Sequence, residues 1–80
     1  SVLDARGREY VMMNAPADAL ERIRALIPGM SGPTVMPLAD PGMIAVHSVV
    51  ERSTLWQLVP ELKAAGARDI LVLPIEKVIR

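Results

Sequence analysis

The chain has no cysteine and no phenylalanine, and only one tryptophan and one tyrosine. Without cysteine there is neither a disulfide framework nor a thiolate metal site, and the composition fits a reducing, cytoplasmic setting. Neither sign of charge is in excess, because nine basic and nine acidic residues cancel. The basic stripe that a nucleic-acid binder needs is missing. No apolar run approaches the roughly 20 residues that cross a bilayer, and no secretory pattern opens the chain. Neither nucleic acid nor membrane is expected as a partner. His47 is the only histidine, so one chain cannot build a histidine metal cluster. Walker-type and GxGxxG phosphate loops are absent, and no spacing supports a Ser–His–carboxylate triad. These absences count against an enzyme. No catalytic residue, metal ligand or cofactor is assigned within these residues.

What is present is one domain of 80 residues, 51% apolar, with an aliphatic core of Val, Ile, Leu, Met and Ala. Residues 1–7 read as a linker or frayed lead-in broken by Gly7, which leaves residues 8–80 as the domain. A first strand is expected over residues 8–14, with Val11 and Met13 on one face and Tyr10, Met12 and Asn14 on the other. Pro16 suits the first position of a helix whose stripe is Leu20, Ile23 and Ile27, with Leu26 beside it. Asp18–Arg22 and Glu21–Arg24 are helix-surface charge pairs, and Pro28-Gly29 stops the helix.

The stretch over residues 27–42 holds Pro28, Pro33, Pro37 and Pro41 with Gly29, Gly32 and Gly42. Fixed and permissive backbone positions alternate there, so the loop is shaped, and a shaped loop is where a binding site is sought. A short extended piece, residues 34–38, must be an edge strand because prolines cannot donate to a ladder. Asp40-Pro41-Gly42 makes a turn. A strand follows over residues 43–50, with Ile44, Val46, Ser48 and Val50 on one face and Met43, Ala45, His47 and Val49 on the other. His47 there has the ordinary role of a hydrogen-bonded sheet histidine. The methionines Met12, Met13, Met30, Met36 and Met43 read as adaptable core or interface filler. Ser53 is placed as the N-cap of a second helix with the stripe Leu55, Leu58, Val59, Leu62 and Ala65, closed by Gly66. Pro60 conflicts with that helix and predicts a kink near residues 56–60. The last strand covers residues 68–73 and stops at Pro74.

The order β-α-β-β-α-β is the ferredoxin-like pattern. The expected fold is α+β, a four-stranded antiparallel sheet in the order 4-1-3-2 with two helices on one face. The proline-bearing second and fourth strands fall at its edges. Both faces of the central strands are apolar, so a second chain or domain is expected to cover the face away from the helices. Asn14 at a strand end, with Ser31, Thr34 and the amides around residues 29–32, offers the neutral donors and acceptors that hold a zwitterion. The same groups equally serve as turn caps.

The segments PGMSGPTVMPLADPGMIAVHSVV and LKAAGARDILVLPIEKVI, with YVMMNAP before them, resemble the C-terminal regulatory domain of the long form of ATP phosphoribosyltransferase. The likeness runs from about Arg8 to the end of the chain. It implies a ferredoxin-like domain that binds L-histidine as feedback inhibitor of the first step of histidine biosynthesis. It further implies a hexamer whose regulatory domains pack together. Catalysis on ATP and phosphoribosyl pyrophosphate, with magnesium, would belong to two upstream domains. Matching positions place the ligand at Asn14, Met30, Thr34, Val49 and the segment around Asp69, with two neighbouring subunits contributing. Asn14 would meet its polar groups and Thr34 would anchor it. Met30 and Val49 would form apolar walls, and the Asp69 segment would act through its backbone. Ser31-Gly32, Met43 and Pro60 depart from the family pattern. Two other readings stand beside this one: a ferredoxin-like assembly module without a ligand, and a small dimeric enzyme using His47.

Overall fold

Two strands of nine residues carry the fold: β2 (Arg8–Pro16) and β4 (Met43–Glu51). They lie antiparallel along their whole length, from Arg8 opposite Glu51 to Pro16 opposite Met43. In this computed structural model the described residues are 2–3, 7–27, 30 and 32–79, with backbone alone for residues 2 and 3. The expected helix stop at Pro28-Gly29, the candidate donor Ser31 and residues 1 and 4–6 of the expected lead-in lie outside them.

Along β2 buried and half-buried residues alternate strictly, so one edge-on register decides which side chains meet the helices. Val11, Met13 and Ala15 face them, beside Val46 and Val50 of β4. The edge strands are β3 (Thr34–Pro37) and β5 (Arg68–Pro74), giving the order β3-β4-β2-β5. Counted over these four strands alone the order is 2-3-1-4, the expected 4-1-3-2 read from its other edge. The prolines Pro37 and Pro74 end the edge strands, where a missing donor leaves no central ladder broken. A separate two-stranded pairing joins β1 (Val2–Leu3) to β6 (Val78–Ile79), which ties part of the expected lead-in to the chain's end.

The helices α1 (Leu20–Leu26) and α2 (Arg52–Ala64) close the core with Ile23, Leu55 and Leu62. Three local expectations differ. Pro16 is the last residue of β2, with ψ of 141°, and a 3-10 turn over Ala17–Ala19 leads into α1. Having no N–H to lose, Pro16 closes the ladder while Ala17 N–H bonds the Gly42 carbonyl at 2.7 Å. Ile27 leaves the helix with φ −106° and ψ 100° yet stays buried. The residue before a proline is pushed out of the helical region, so Pro28 in the sequence ends α1 one residue early. The cap of α2 is Glu51, not Ser53, because the helix springs directly from the end of β4.

That junction is pinned twice. Arg52 N–H bonds the Gly7 carbonyl at 2.7 Å. Its Nε also stands 3.2 Å from the carboxylate of buried Glu9, close as an ion pair though not aligned as a hydrogen bond. Pro60 lies within α2 at an exposed position, and the helix runs on through it to Ala64. Glu21 and Arg24 pair at 3.5 Å. Asp18, drawn into the 3-10 turn, forms no ion pair with Arg22 among the described residues.

Candidate functional site

The face of the sheet away from the helices is built from the residues that alternation leaves over. Cross-strand register orders them in rows. One row reads Thr34, His47, Met12 and Leu71 across all four strands. On one side of it lies Met36, Ala45, Asn14 and Arg68, and on the other Val49, Tyr10 and Leu73. Apolar side chains dominate. Leu71 is 57% exposed, and Met36, Val49 and Leu73 are also open to solvent. Such a surface is what a second chain or domain ordinarily covers.

Four of the five residues singled out by resemblance stand on this face or at its margin: Asn14, Thr34, Val49 and Asp69. Asn14 and Asp69 are brought together. The Asn14 side-chain amide donates to Asp69 Oδ2 across 3.4 Å, a long and solvent-exposed bond. Asp69 reaches it through a β-bulge, where residues 69 and 70 of β5 oppose Met13 alone and the register with β2 shifts. At φ of 52°, Asp69 holds the left-handed conformation that glycine usually supplies in a bulge. An aspartate tolerates it better than most residues and keeps a carboxylate at the site.

Thr34 is two strands away from Asn14, about 10 Å sideways from strand spacing alone. Val49 sits beyond His47 on the same face. Among the described residues the four line a stretch of sheet and do not converge on a closed pocket within one chain. Met30 is placed differently: it is 8% exposed and packed in the core cluster. His47 is half-buried, its ring edge-on to Tyr10 with centroids 5.9 Å apart. Among the described residues no three His, Asp or Glu side chains converge as a metal site. No helix there is long and apolar enough to cross a membrane.

Two features escaped the sequence reading. The bulge at Asp69 has only a faint signal, an Asp following Gly66-Ala67-Arg68 inside an otherwise continuous apolar run. The other is a groove between α2 and β5 containing Trp56, Val59 and Lys63. Its signal was available: Trp56 falls off the Leu55–Leu58–Leu62 stripe and shares a helix face with positions three and seven further on.

The family described as "HisG, C-terminal domain" matches residues 5–77. Among curated relatives, the ATP phosphoribosyltransferase of Halobacterium salinarum is 51% identical over 79 residues. That of Bacteroides fragilis is 53% identical over 79 residues, and that of Methanocaldococcus jannaschii 55% over 80. Each alignment covers 99% of this chain and 28% of the relative, so the chain spans just over a quarter of those proteins' length. With a family match across nearly the whole described fold and identity above half, the chain belongs to the HisG C-terminal domain family and corresponds to the C-terminal part of long-form ATP phosphoribosyltransferases.

Proposed function

We propose that the chain is the regulatory part of an ATP phosphoribosyltransferase. It binds L-histidine on the uncovered sheet face and thereby signals feedback inhibition of the first step of histidine biosynthesis. The observation that carries this is the joining of Asn14 to Asp69 on an otherwise apolar face that also presents Thr34 and Val49. A zwitterionic amino acid needs an acceptor for its ammonium and a donor for its carboxylate. Asp69 and the Asn14 carbonyl of one subunit supply the first, and the Thr34 hydroxyl of a neighbouring subunit supplies the second. Val49 offers apolar surface to the imidazole, and Met30 backs the sheet from the core.

The spread of these residues argues that a neighbouring subunit completes the site, in a homo-oligomer that is a hexamer for the full-length enzyme. Catalysis on ATP and phosphoribosyl pyrophosphate, with magnesium, is left to upstream domains, and the setting is the cytoplasm. The sequence-derived charge balance gives no reason to add a nucleic-acid partner.

L-Histidine at about 100 times its Kd is expected to stabilise the oligomer by about 2.7 kcal/mol, because it binds the folded form alone. In a domain of this size that raises Tm by roughly 10–20 °C. L-Glutamine and L-alanine should leave Tm in place, and Asn14→Ala or Thr34→Ala should abolish the shift. A flat response to millimolar L-histidine from folded, oligomeric protein would contradict the proposal. The exposed Met36, Val49, Leu71 and Leu73 also favour the second reading, an assembly module without ligand. That reading predicts that Thr34→Ala alters nothing measurable.

A further inference from the structure

The helix side of the fold has an opening where α2 overhangs the edge strand β5. Among the described residues no strand lies beyond β5 in the sheet, which leaves the flank of α2 that points past it unpacked. A cavity of about 340 Å³ results, within the range of about 300–1,000 Å³ that small-molecule sites occupy. Its floor is aliphatic, from Val59, Ala67, Ile70 and Val72. Three kinds of chemistry stand around that floor. Trp56 remains 58% exposed, which is unusual for the largest apolar side chain in a chain nearly devoid of aromatics. Lys63 and Arg68 bring two positive charges, and Asp69 brings one negative charge that already accepts from Asn14.

Among the described residues no ion pair engages Lys63 or Arg68. The groove thus carries a net charge of +1 at neutral pH, beside an indole and above an apolar floor. Both cations have long stems that can lie along the floor while their heads remain wet.

We propose that the groove between α2 and β5 is a binding site for a small aromatic anion, a planar ring carrying one carboxylate or phosphate. The ring stacks on Trp56 over Val59 and Ile70. The anion takes the guanidinium of Arg68 in bidentate fashion with the Lys63 ammonium alongside. A neutral aromatic would gain only the stacking, and a bare anion only two solvent-screened contacts. Neither alone matches the groove. The groove meets the face assigned to L-histidine at the β5 bulge, where Asp69 borders both and Arg68 stands in register with Asn14, but its reporter residue Trp56 lies on α2 and takes no part in that reading.

Trp56 is the only tryptophan, so its fluorescence reports the groove directly. The 80-residue chain should be titrated with phenylpropionate, phenyl phosphate, phenylpropanol and inorganic phosphate. Phenylpropionate or phenyl phosphate is expected to change the Trp56 emission saturably, and whichever binds tighter identifies the anionic group. Phenylpropanol and inorganic phosphate should bind at least tenfold more weakly. Lys63→Ala and Arg68→Ala, both at exposed positions, should each weaken the aromatic anion about tenfold, as loss of a charge-assisted hydrogen bond does. Equal binding of phenylpropanol overturns the proposal, as does a flat emission with both anions at millimolar concentration. So does an unchanged affinity in the double variant, its fold checked by circular dichroism. An emission change that depends on protein concentration alone would mean that a second copy fills the groove, and would overturn it too. L-Histidine should leave the Trp56 emission unchanged, so the two readings are told apart at Trp56 although Asp69 borders both sites.

Discussion

A Leu62→Ala chain is expected to lose about 2–5 kcal/mol of unfolding free energy. Leu62 is wholly buried and lies in the cluster that joins α2 to β2 and β4. Truncation removes the transfer free energy of three carbons and leaves a cavity that close-packed neighbours fill only in part. A domain of this length has a total stability of roughly 4–12 kcal/mol at about 0.05–0.15 kcal/mol per residue. The loss therefore consumes a large share of it. Urea titration followed by circular dichroism should show the midpoint falling sharply while the slope is kept. A loss below about 1 kcal/mol would mean that the α2 contact is not part of the core.

Gly66→Ala is expected to be nearly as damaging, for a backbone reason. Gly66 closes α2 in a Schellman arrangement: its N–H bonds the Lys63 carbonyl at 3.0 Å, and Ala67 N–H bonds the Leu62 carbonyl at 3.0 Å. Its φ is +106°, a conformation that L side chains rarely adopt, and an added Cβ would stand 2.9 Å from Cδ of Pro16. Backbone strain of about 1–3 kcal/mol adds to the clash. The whole cost is about 2–5 kcal/mol once overpacking is included. Gly42→Ala is the control, since φ there is +78° but nothing lies within 4 Å of the new Cβ. It should cost only the strain. Equal losses in the two variants, measured by thermal unfolding, would show that Pro16 gives way freely.

The Pro16–Gly66 approach also explains why some of the fold was legible in the sequence and some was not. Strand identity, edge order and the alternation in β2 and β4 follow from proline placement and period two, both local properties of the letters. Leu55 and Leu62 were readable as core from the 3.6-residue period of the helical stripe. The end of β2 at Pro16 and the cap of α2 at Glu51 were not. Those boundaries are decided by partners distant in the chain, the Gly42 carbonyl for Ala17 and the Gly7 carbonyl for Arg52. Local propensity for Pro16 as a helix start and Ser53 as a cap lost to tertiary hydrogen bonds.

The candidate site divides in the same way. Asn14 and Val49 could be put on one face by counting residues in twos, and Thr34 followed once β3 was paired with β4. Asp69 could not, because a bulge breaks the count and no side chain in the apolar run announces it. Met30 carried two readings. The sequence reads it as core or interface filler, and the resemblance makes it an apolar wall of the ligand site; its side chain is buried in the core cluster. A loop position fixes neither depth nor direction until the elements around it are packed.

The most direct test of the account is to map L-histidine onto the sheet by backbone amide chemical shifts. Saturating L-histidine is expected to move the amides of Asn14, Thr34, Val49 and Asp69, with His47 and Tyr10 between them, and to leave Trp56 and Val59 unmoved. Shifts confined to the helix side, or no shifts at all in the folded oligomer, would contradict it.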